Sequence, residues 1–291
     1  MFHVMRYHCR QLFSSRRWLF VLVIDAFLAL AVVLYRNERL SYLITRYHIV
    51  PPAANIWDVP VEMLCANFIM IFILMTAFVF LVGDVFLRDE RTGRLPMLLS
   101  RTRTRATWFV SLIPAVFLAA VAFVATAIAV SLIVALLFLP AGRSFSPFLT
   151  GSANLIRGIA MRNYNFLPDM SLTPPMFFAG VILYLAPALC CIALLGVVIS
   201  IWWRQTIAVF IPVVWIVVEI LLKSGVTRYS PGIDRFMFSS QLMLTQHWES
   251  ADSLTVAALY PFPVAASVIA FVVLLLLWAT LGLFSFRSVD L

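Results

Sequence analysis

Six apolar runs set the terms for this chain: residues 18–35, 63–83, 107–139, 176–201, 206–222 and 263–286. A helix needs ~20 residues to cross the hydrocarbon core of a bilayer, and each run approaches or exceeds that length. Hydrophobic residues make up 63% of the sequence and charged residues 12%, against about 45–50% and 25% in soluble domains. A soluble fold has too little polar surface to cover so many apolar side chains. The expected fold class is an all-α integral membrane protein with six transmembrane helices. Backbone groups in lipid must be bonded within the segment, and no alternating barrel pattern is present. The third run is predicted to project beyond the bilayer or to carry an interfacial end, and Pro114, Pro187 and Pro212 fall inside spans, where neighbouring helices re-satisfy freed carbonyls.

Several chemistries are excluded by what is missing. The only lysine is Lys223, and no glycine precedes it as a P-loop requires. His3, His8, His48 and His247 all lie outside the apolar runs, so a zinc protease at membrane depth has no ligands. Cys9, Cys65, Cys190 and Cys191 fit no metal spacing and read as packing residues. No catalytic or metal site, and no cofactor, is expected in this chain. The first run lacks a small-x-small cleavage site after it and reads as a retained span.

Arginine placement predicts orientation. With the N-terminus in the cytoplasm, the inside segments are 1–17, 84–106, 202–205 and 287–291. They hold 12 of the 21 basic residues in 49 positions, and the outside segments hold 9 in 103. By the positive-inside rule both termini are cytoplasmic, and the net charge of +8 reflects this asymmetry rather than nucleic-acid binding. The expected units are a cytoplasmic interfacial helix at 1–17 and a transmembrane domain at 18–291. In the first, Phe2, Met5, Cys9, Leu12 and Phe13 share one helical face, with His3, Arg6, Arg10, Ser14 and Arg17 on another. Such a basic amphipathic helix lies in the membrane interface; the plainer alternative is a flexible basic tail. Two outer loops are long enough to be structured. Leu155, Ile156 and Ile159 opposite Asn154, Arg157 and Arg162 predict a short helix on the outer surface. The 223–262 loop, with Ile233, Phe236, Met237, Leu242 and Leu244, is apolar enough to dip back into the protein. The eight tryptophans mostly mark span ends, as an interfacial belt would.

The densest charged stretch runs from Asp84 to Trp108. It holds six arginines with Asp84, Asp89 and Glu90, then an apolar patch at Leu95, Met97, Leu98 and Leu99. Thr92-Gly93 forms a turn, and Pro96 suits the start of a helix. A short amphipathic cytoplasmic helix between spans two and three is predicted. It is either a lever that a partner pushes or a basic anchor that fixes topology. Arg88-Asp89-Glu90-Arg91-Thr92-Gly93-Arg94, followed by Met97-Leu98-Leu99-Ser100 and the basic run from Arg101 to Arg105, resembles the loop after the second span in ABC-2 type transporter permeases. The layout is similar too: a basic N-terminal helix, six spans, both termini inside and a sizeable outer loop before the last span. The chain departs from that pattern in having threonine before the glycine, Pro96 ahead of Leu-Leu-Ser, and Val110 and Ser111 where a lysine is common.

The resemblance implies a permease subunit of an ABC exporter in the cell (inner) membrane. Two such subunits, identical or related, would pair with two separate ATPase subunits that bind ATP and Mg. Arg88, Asp89, Glu90, Gly93, Arg94, Leu98, Leu99 and Arg101 would form the coupling contact. Glu90 would be available to a basic residue of the partner, and Leu98 and Leu99 would be the apolar anchor. Asp25 and Glu219 are the only acidic residues within the predicted spans, where a charge is costly and usually kept for a cavity or a partner. They are candidates for a translocation pathway or a subunit interface. The alternatives are structural hydrogen bonds or, for Glu219, an outer position near Lys223. Two other functions compete: a non-transporting membrane anchor or assembly factor, and an intramembrane enzyme, which the lack of an intramembrane histidine disfavours.

Overall fold

A computed structural model describes residues 2–47, 53–65, 69–100, 104–146, 172–229, 237–244 and 263–288. Among these the protein is all-helical, without strands. Its elements are α1 (Phe2–Phe13), α2 (Arg17–Tyr47), α3 (Asp58–Cys65), a π-helical stretch (Ile69–Leu74), α4 (Met75–Val82), α5 (Val85–Arg91), α6 (Arg94–Ser100) and α7 (Arg105–Leu136). There follow α8 (Pro174–Trp203), a 3-10 turn (Thr206–Phe210), α9 (Ile211–Tyr229), α10 (Phe238–Leu242) and α11 (Val264–Ser288).

Four of these helices are long and apolar enough to cross a membrane, over Arg17–Glu38, Ala106–Leu136, Pro174–Trp203 and Val264–Phe286. They correspond to the first, third, fourth and sixth apolar runs. The fifth run becomes a shorter apolar helix over Thr206–Leu222. The second run differs most from expectation. Helix begins at Asp58, ahead of the apolar residues, and the run then passes through the π-helical stretch before α4. The early start has a physical cause: Asp58 and Glu62 are buried against Arg36, so the charges that looked like loop are internal. α2 continues past the apolar run to Tyr47, over residues whose described side chains after Arg36 are exposed.

α8 is the central helix. Of its most apolar window 72% is buried, against 11% for α11. Thr173 precedes it in extended conformation and Pro174 opens it, where a missing N–H costs nothing. α7 and α11 pack on α8, α2 and α1 pack on α7, and the 3-10 turn packs on α8. Gly196 permits that last approach, because a Cβ there would lie 2.9 Å from the Val209 carbonyl oxygen. The outward residues of α2 and α11, such as Phe27, Ile269 and Leu276, are exposed, as expected of surfaces that face lipid rather than water.

The N-terminal helix forms, and the face it buries is only partly the one the sequence implied: Leu12 and Cys9 belong to the expected apolar face, whereas His8 is not among its residues. His8 and Leu12 are buried, Val4 and Cys9 pack on the core, and Phe2 and Phe13 are exposed. α1 lies on α7, whose Trp108 receives the His8 ring edge-on at 5.1 Å. Trp108 is itself wholly buried, stacked on Phe286 at 5.2 Å, so this tryptophan is core rather than belt. Cys65, Cys190 and Cys191 are free and buried. The short helix expected near 154–162 lies outside the described residues. Part of the 223–262 loop does fold inward: Phe238, Leu242, Met243 and Leu244 are buried.

Candidate functional site

Arg17 and Arg36 stand at the two ends of the apolar part of α2, 19 positions apart, with Asp25 as the only charge between them. At 1.5 Å per residue they are separated by ~28 Å, close to the ~30 Å of a bilayer core. Each anchors a cluster of charged side chains, one at each end of the bundle.

The cluster at the Arg17 end gathers the segment that the sequence singled out. The chain turns at Thr92-Gly93, and Gly93 has φ +67 with nothing within 4 Å of a would-be Cβ. That left-handed conformation is strained for any residue with a side chain. The turn separates α5 from α6: α6 is the short helix expected after the turn, opening two residues before Pro96, and α5 is a second helix ahead of it that the sequence did not announce. Asp84, just before α5, is a shared acceptor. Arg17 Nη1 donates to its Oδ1 at 2.8 Å and Nη2 to its Oδ2 at 2.7 Å, and Arg88 Nη2 donates to Oδ1 at 2.7 Å. Arg17 also donates to the Phe80 carbonyl at 2.6 Å and lies over the Phe80 ring. Burial by itself raises the Asp84 pKa, but the two guanidiniums outweigh it and hold the carboxyl below its ordinary value.

Asp89 behaves differently. It is fully buried and accepts hydrogen bonds from the Tyr7 hydroxyl at 2.9 Å and from Gln11 Nε2 at 2.7 Å. Burial dominates here and pushes its pKa up, with those donors opposing. The Tyr7 hydroxyl is raised in turn, first by burial and then by the Asp89 charge. His8, one residue along α1, is pushed down to about 4 by burial, with a backbone contact at Trp108 opposing. Glu90 pairs with Arg204 at 3.5 Å. Arg204 sits where α8 ends, in left-handed conformation with φ 48, a geometry that costs a non-glycine residue ~1–2 kcal/mol.

The proposed coupling residues are therefore divided between two surfaces. Asp89 faces inward onto α1, Arg88 is committed to Asp84, and Glu90 is engaged by Arg204. Leu98 and Leu99 are half-buried against the core. Among the residues that α5, the turn and α6 expose are Arg91, Thr92, Gly93, Arg94, Pro96 and Met97, the last 67% exposed. Arg101 lies outside the described residues.

The two acidic residues of the spans are not brought together. Asp25 is buried, and neither of its carboxylate oxygens has a hydrogen-bond partner. Glu219 receives the backbone N–H groups of Phe238 and Ser239, each at 2.7 Å, and so holds α10 in place. The Tyr184 hydroxyl reaches the Gln241 carbonyl and the Ser267 hydroxyl reaches the Gln241 side chain, fastening α10 to α8 and α11.

Sequence reasoning missed the cluster at the Arg36 end. Arg36 Nη2 donates to Asp58 Oδ2 at 2.5 Å, and its Nε lies 3.6 Å from Glu62. The Ser146 hydroxyl and the Asn55 N–H also donate to Asp58, at 2.9 and 3.1 Å. The Trp57 indole donates to the Gly142 carbonyl at 2.7 Å, and the Asn55 amide to that of Ser144 at 2.7 Å. The signal was present in the i, i+4 spacing of Asp58 and Glu62, which puts both carboxylates on one helical face.

A search among curated proteins returns no match to the chain. One family profile does match, from residue 18 onward, so that α1 and Arg17 lie just ahead of it. Over residues 18–291 the sequence fits the family described as Protein of unknown function (DUF2705), and the chain belongs to that family.

Proposed function

We propose that this chain is the membrane-spanning permease subunit of an ABC exporter, driven by two separate ATPase subunits through α5 and α6. In this reading the chain crosses the cell membrane six times with both termini in the cytoplasm. The segment Asp58–Val82 and the apolar helix Thr206–Leu222 supply the two spans beyond the four long helices. A second permease subunit, identical or related, completes the pathway, and ATP and Mg belong to the partner subunits.

One observation carries the proposal. The α5–α6 hairpin offers a bare turn and an exposed Met97 on its outer side. Its inner side is tied to α1 through Asp89, to α2 through Asp84 and to the end of α8 through Glu90. A force applied at the turn therefore reaches three membrane-associated helices, whereas a segment that only fixed topology would need no such ties. Sequence supports the same reading through the Arg88–Ser100 motif and the arginine asymmetry.

The test is co-purification of an ATPase subunit with the native chain, with ATP hydrolysis measured after reconstitution. Met97→Asp places a charge on an exposed residue and leaves every described hydrogen bond intact. It should insert normally yet lose at least tenfold of the coupled hydrolysis. Glu90→Arg combined with Arg204→Glu rebuilds the internal pair in reverse and should keep the fold while altering the charge seen by the partner. A complex that forms and hydrolyses ATP normally with Met97→Asp would overturn the coupling role. Cysteines at Ser100 and Ser144 test orientation, and only the second should react with an impermeant reagent in intact cells.

A further inference from the structure

Three arginines from three different helices line one cavity. It has a volume of about 430 Å³ and lies between the polar face of α1 and the α5–α6 hairpin, walled by Arg10, Arg88, Arg94, Tyr7, Gln11 and Ser14. Arg88 is paired with Asp84, and the charges of Arg10 and Arg94 are not cancelled by the walls. Asp84 is shared between Arg17 and Arg88. Asp89 lies buried beneath Tyr7 and Gln11, which occupy its Oδ1. Arg10 and Arg94 are exposed and form no ion pair with any described residue. Guanidiniums held around one space repel each other until an anion enters. Their forked donors match the oxygens of a phosphate better than those of any compact monovalent ion.

The location narrows the anion further. Arg17 begins an apolar span on the same side of the bundle, and α1 exposes Phe2 and Phe13. A helix of this kind rests at the depth of lipid headgroups. A neighbouring cavity of about 400 Å³ shares Arg88 and is lined by Arg17 and Arg91 as well, but Asp84 stands in its wall and pairs with Arg17 and Arg88, which leaves Arg91, among the described residues, as its one uncommitted guanidinium. The first cavity is thus the one suited to a negative group.

We infer that the cavity of Arg10, Arg88 and Arg94 binds a phosphate group, with the headgroup of an anionic phospholipid and free phosphate as its two sources. The phosphate bridges α1 to α6 and so reinforces the contact that Asp89 makes from within.

The test uses the full chain, purified and examined by native mass spectrometry after exchange into mixed phosphatidylglycerol and phosphatidylcholine. The wild type should retain phosphatidylglycerol in preference. Arg10→Gln with Arg94→Gln should lower that preference by at least about tenfold, since each arginine near an anionic headgroup contributes a factor of several. Ser14→Glu, which puts a carboxylate into the cavity, should lower it as well. Arg16→Gln, an exposed arginine outside the cavity, should not. In the second arm, delipidated protein is heated in inorganic phosphate or in chloride of equal ionic strength. A rise in Tm with phosphate that the double variant lacks identifies free phosphate as a ligand; lipid preference without that rise identifies the headgroup. Equal behaviour of the wild type and the double variant in both arms overturns the site. An equal loss in Arg16→Gln overturns it too, because the attraction would then be diffuse.

Discussion

The two charged clusters on α2 use the same chemistry in opposite surroundings. At the Arg36 end the paired side chains are 0–6% exposed, and every hydrogen bond there closes the protein on itself. At the Arg17 end Arg17, Asp84 and Arg88 are 16–28% exposed, and the pairs lie beside two open cavities. Buried pairs resist rupture because a lost partner strands a charge away from water. Half-exposed pairs are screened, and water replaces a lost partner at little cost. The difference marks one end as a fixed closure and the other as a joint.

Removing Arg36 should give the largest effect. Arg36→Met strands Asp58 and Glu62 and should destabilise the protein by about 3–5 kcal/mol, read by thermal unfolding in detergent. Adding Asp58→Asn and Glu62→Gln to it should recover much of that loss. A single variant as stable as the wild type would show that the Arg36 end is not closed and would erase the contrast.

At the other end the two carboxylates should respond in opposite ways. Asp84→Asn weakens two charge-assisted contacts and should cost about 1–2 kcal/mol, less at high salt. Asp89→Asn should cost less at neutral pH, because its pKa is raised by burial and ionisation there opposes folding. The pH dependences also oppose. Asp84, with its folded pKa depressed, contributes stability above its unfolded value that is lost as pH falls through the folded one. Asp89, with its folded pKa raised, contributes stability below its unfolded value that is lost as pH rises through the folded one. Hydrogen exchange in α1 reads Asp89 and exchange at the start of α2 reads Asp84; the same pattern of protection loss in both helices for both variants would merge their roles.

His8 supplies a smaller effect. Its pKa falls from 6.5 to about 4 on folding, so the packed ring is neutral. The stability this confers is full above pH 6.5 and is lost as pH falls toward 4. α1 should loosen from α7 across that window, seen as a rise in exchange, and His8→Gln should flatten the profile.

Asp25→Leu should have the least effect. A carboxyl without a hydrogen-bond partner adds nothing that an apolar side chain does not, so stability should hold or rise slightly. A large loss would assign Asp25 a partner and make it a third cluster on the same helix.

Much of the fold was legible because lipid demands long apolar runs, and four of the six became helices of spanning length. Gly93 was legible because a turn between charged stretches calls for the residue that tolerates positive φ. The burial of His8 was not, because helical periodicity gives a face and not its neighbour, and the neighbour is an α7 face that carries Trp108. Asp89 and Glu90 are adjacent in sequence and alike in chemistry, yet one points into the protein and the other toward Arg204. Only the placement of α1 and the end of α8 separates them. Glu219 was visible as a costly charge, but its partners are backbone N–H groups 19 and 20 residues away, which no side-chain pattern announces.

α5 is fastened at Asp84, Asp89 and Glu90, each to a different helix. At 100° per residue these points lie roughly 0°, 140° and 240° around its axis. A mast stayed from three sides behaves in a particular way. No sideways push slackens all the stays, so a shove from any direction tightens at least one of them. Twist and axial slide are the only motions that load the three together. A partner that rotated α5 would draw on α1, α2 and the foot of α8 in a single stroke, and one that merely leaned on it would choose among them by its angle of approach.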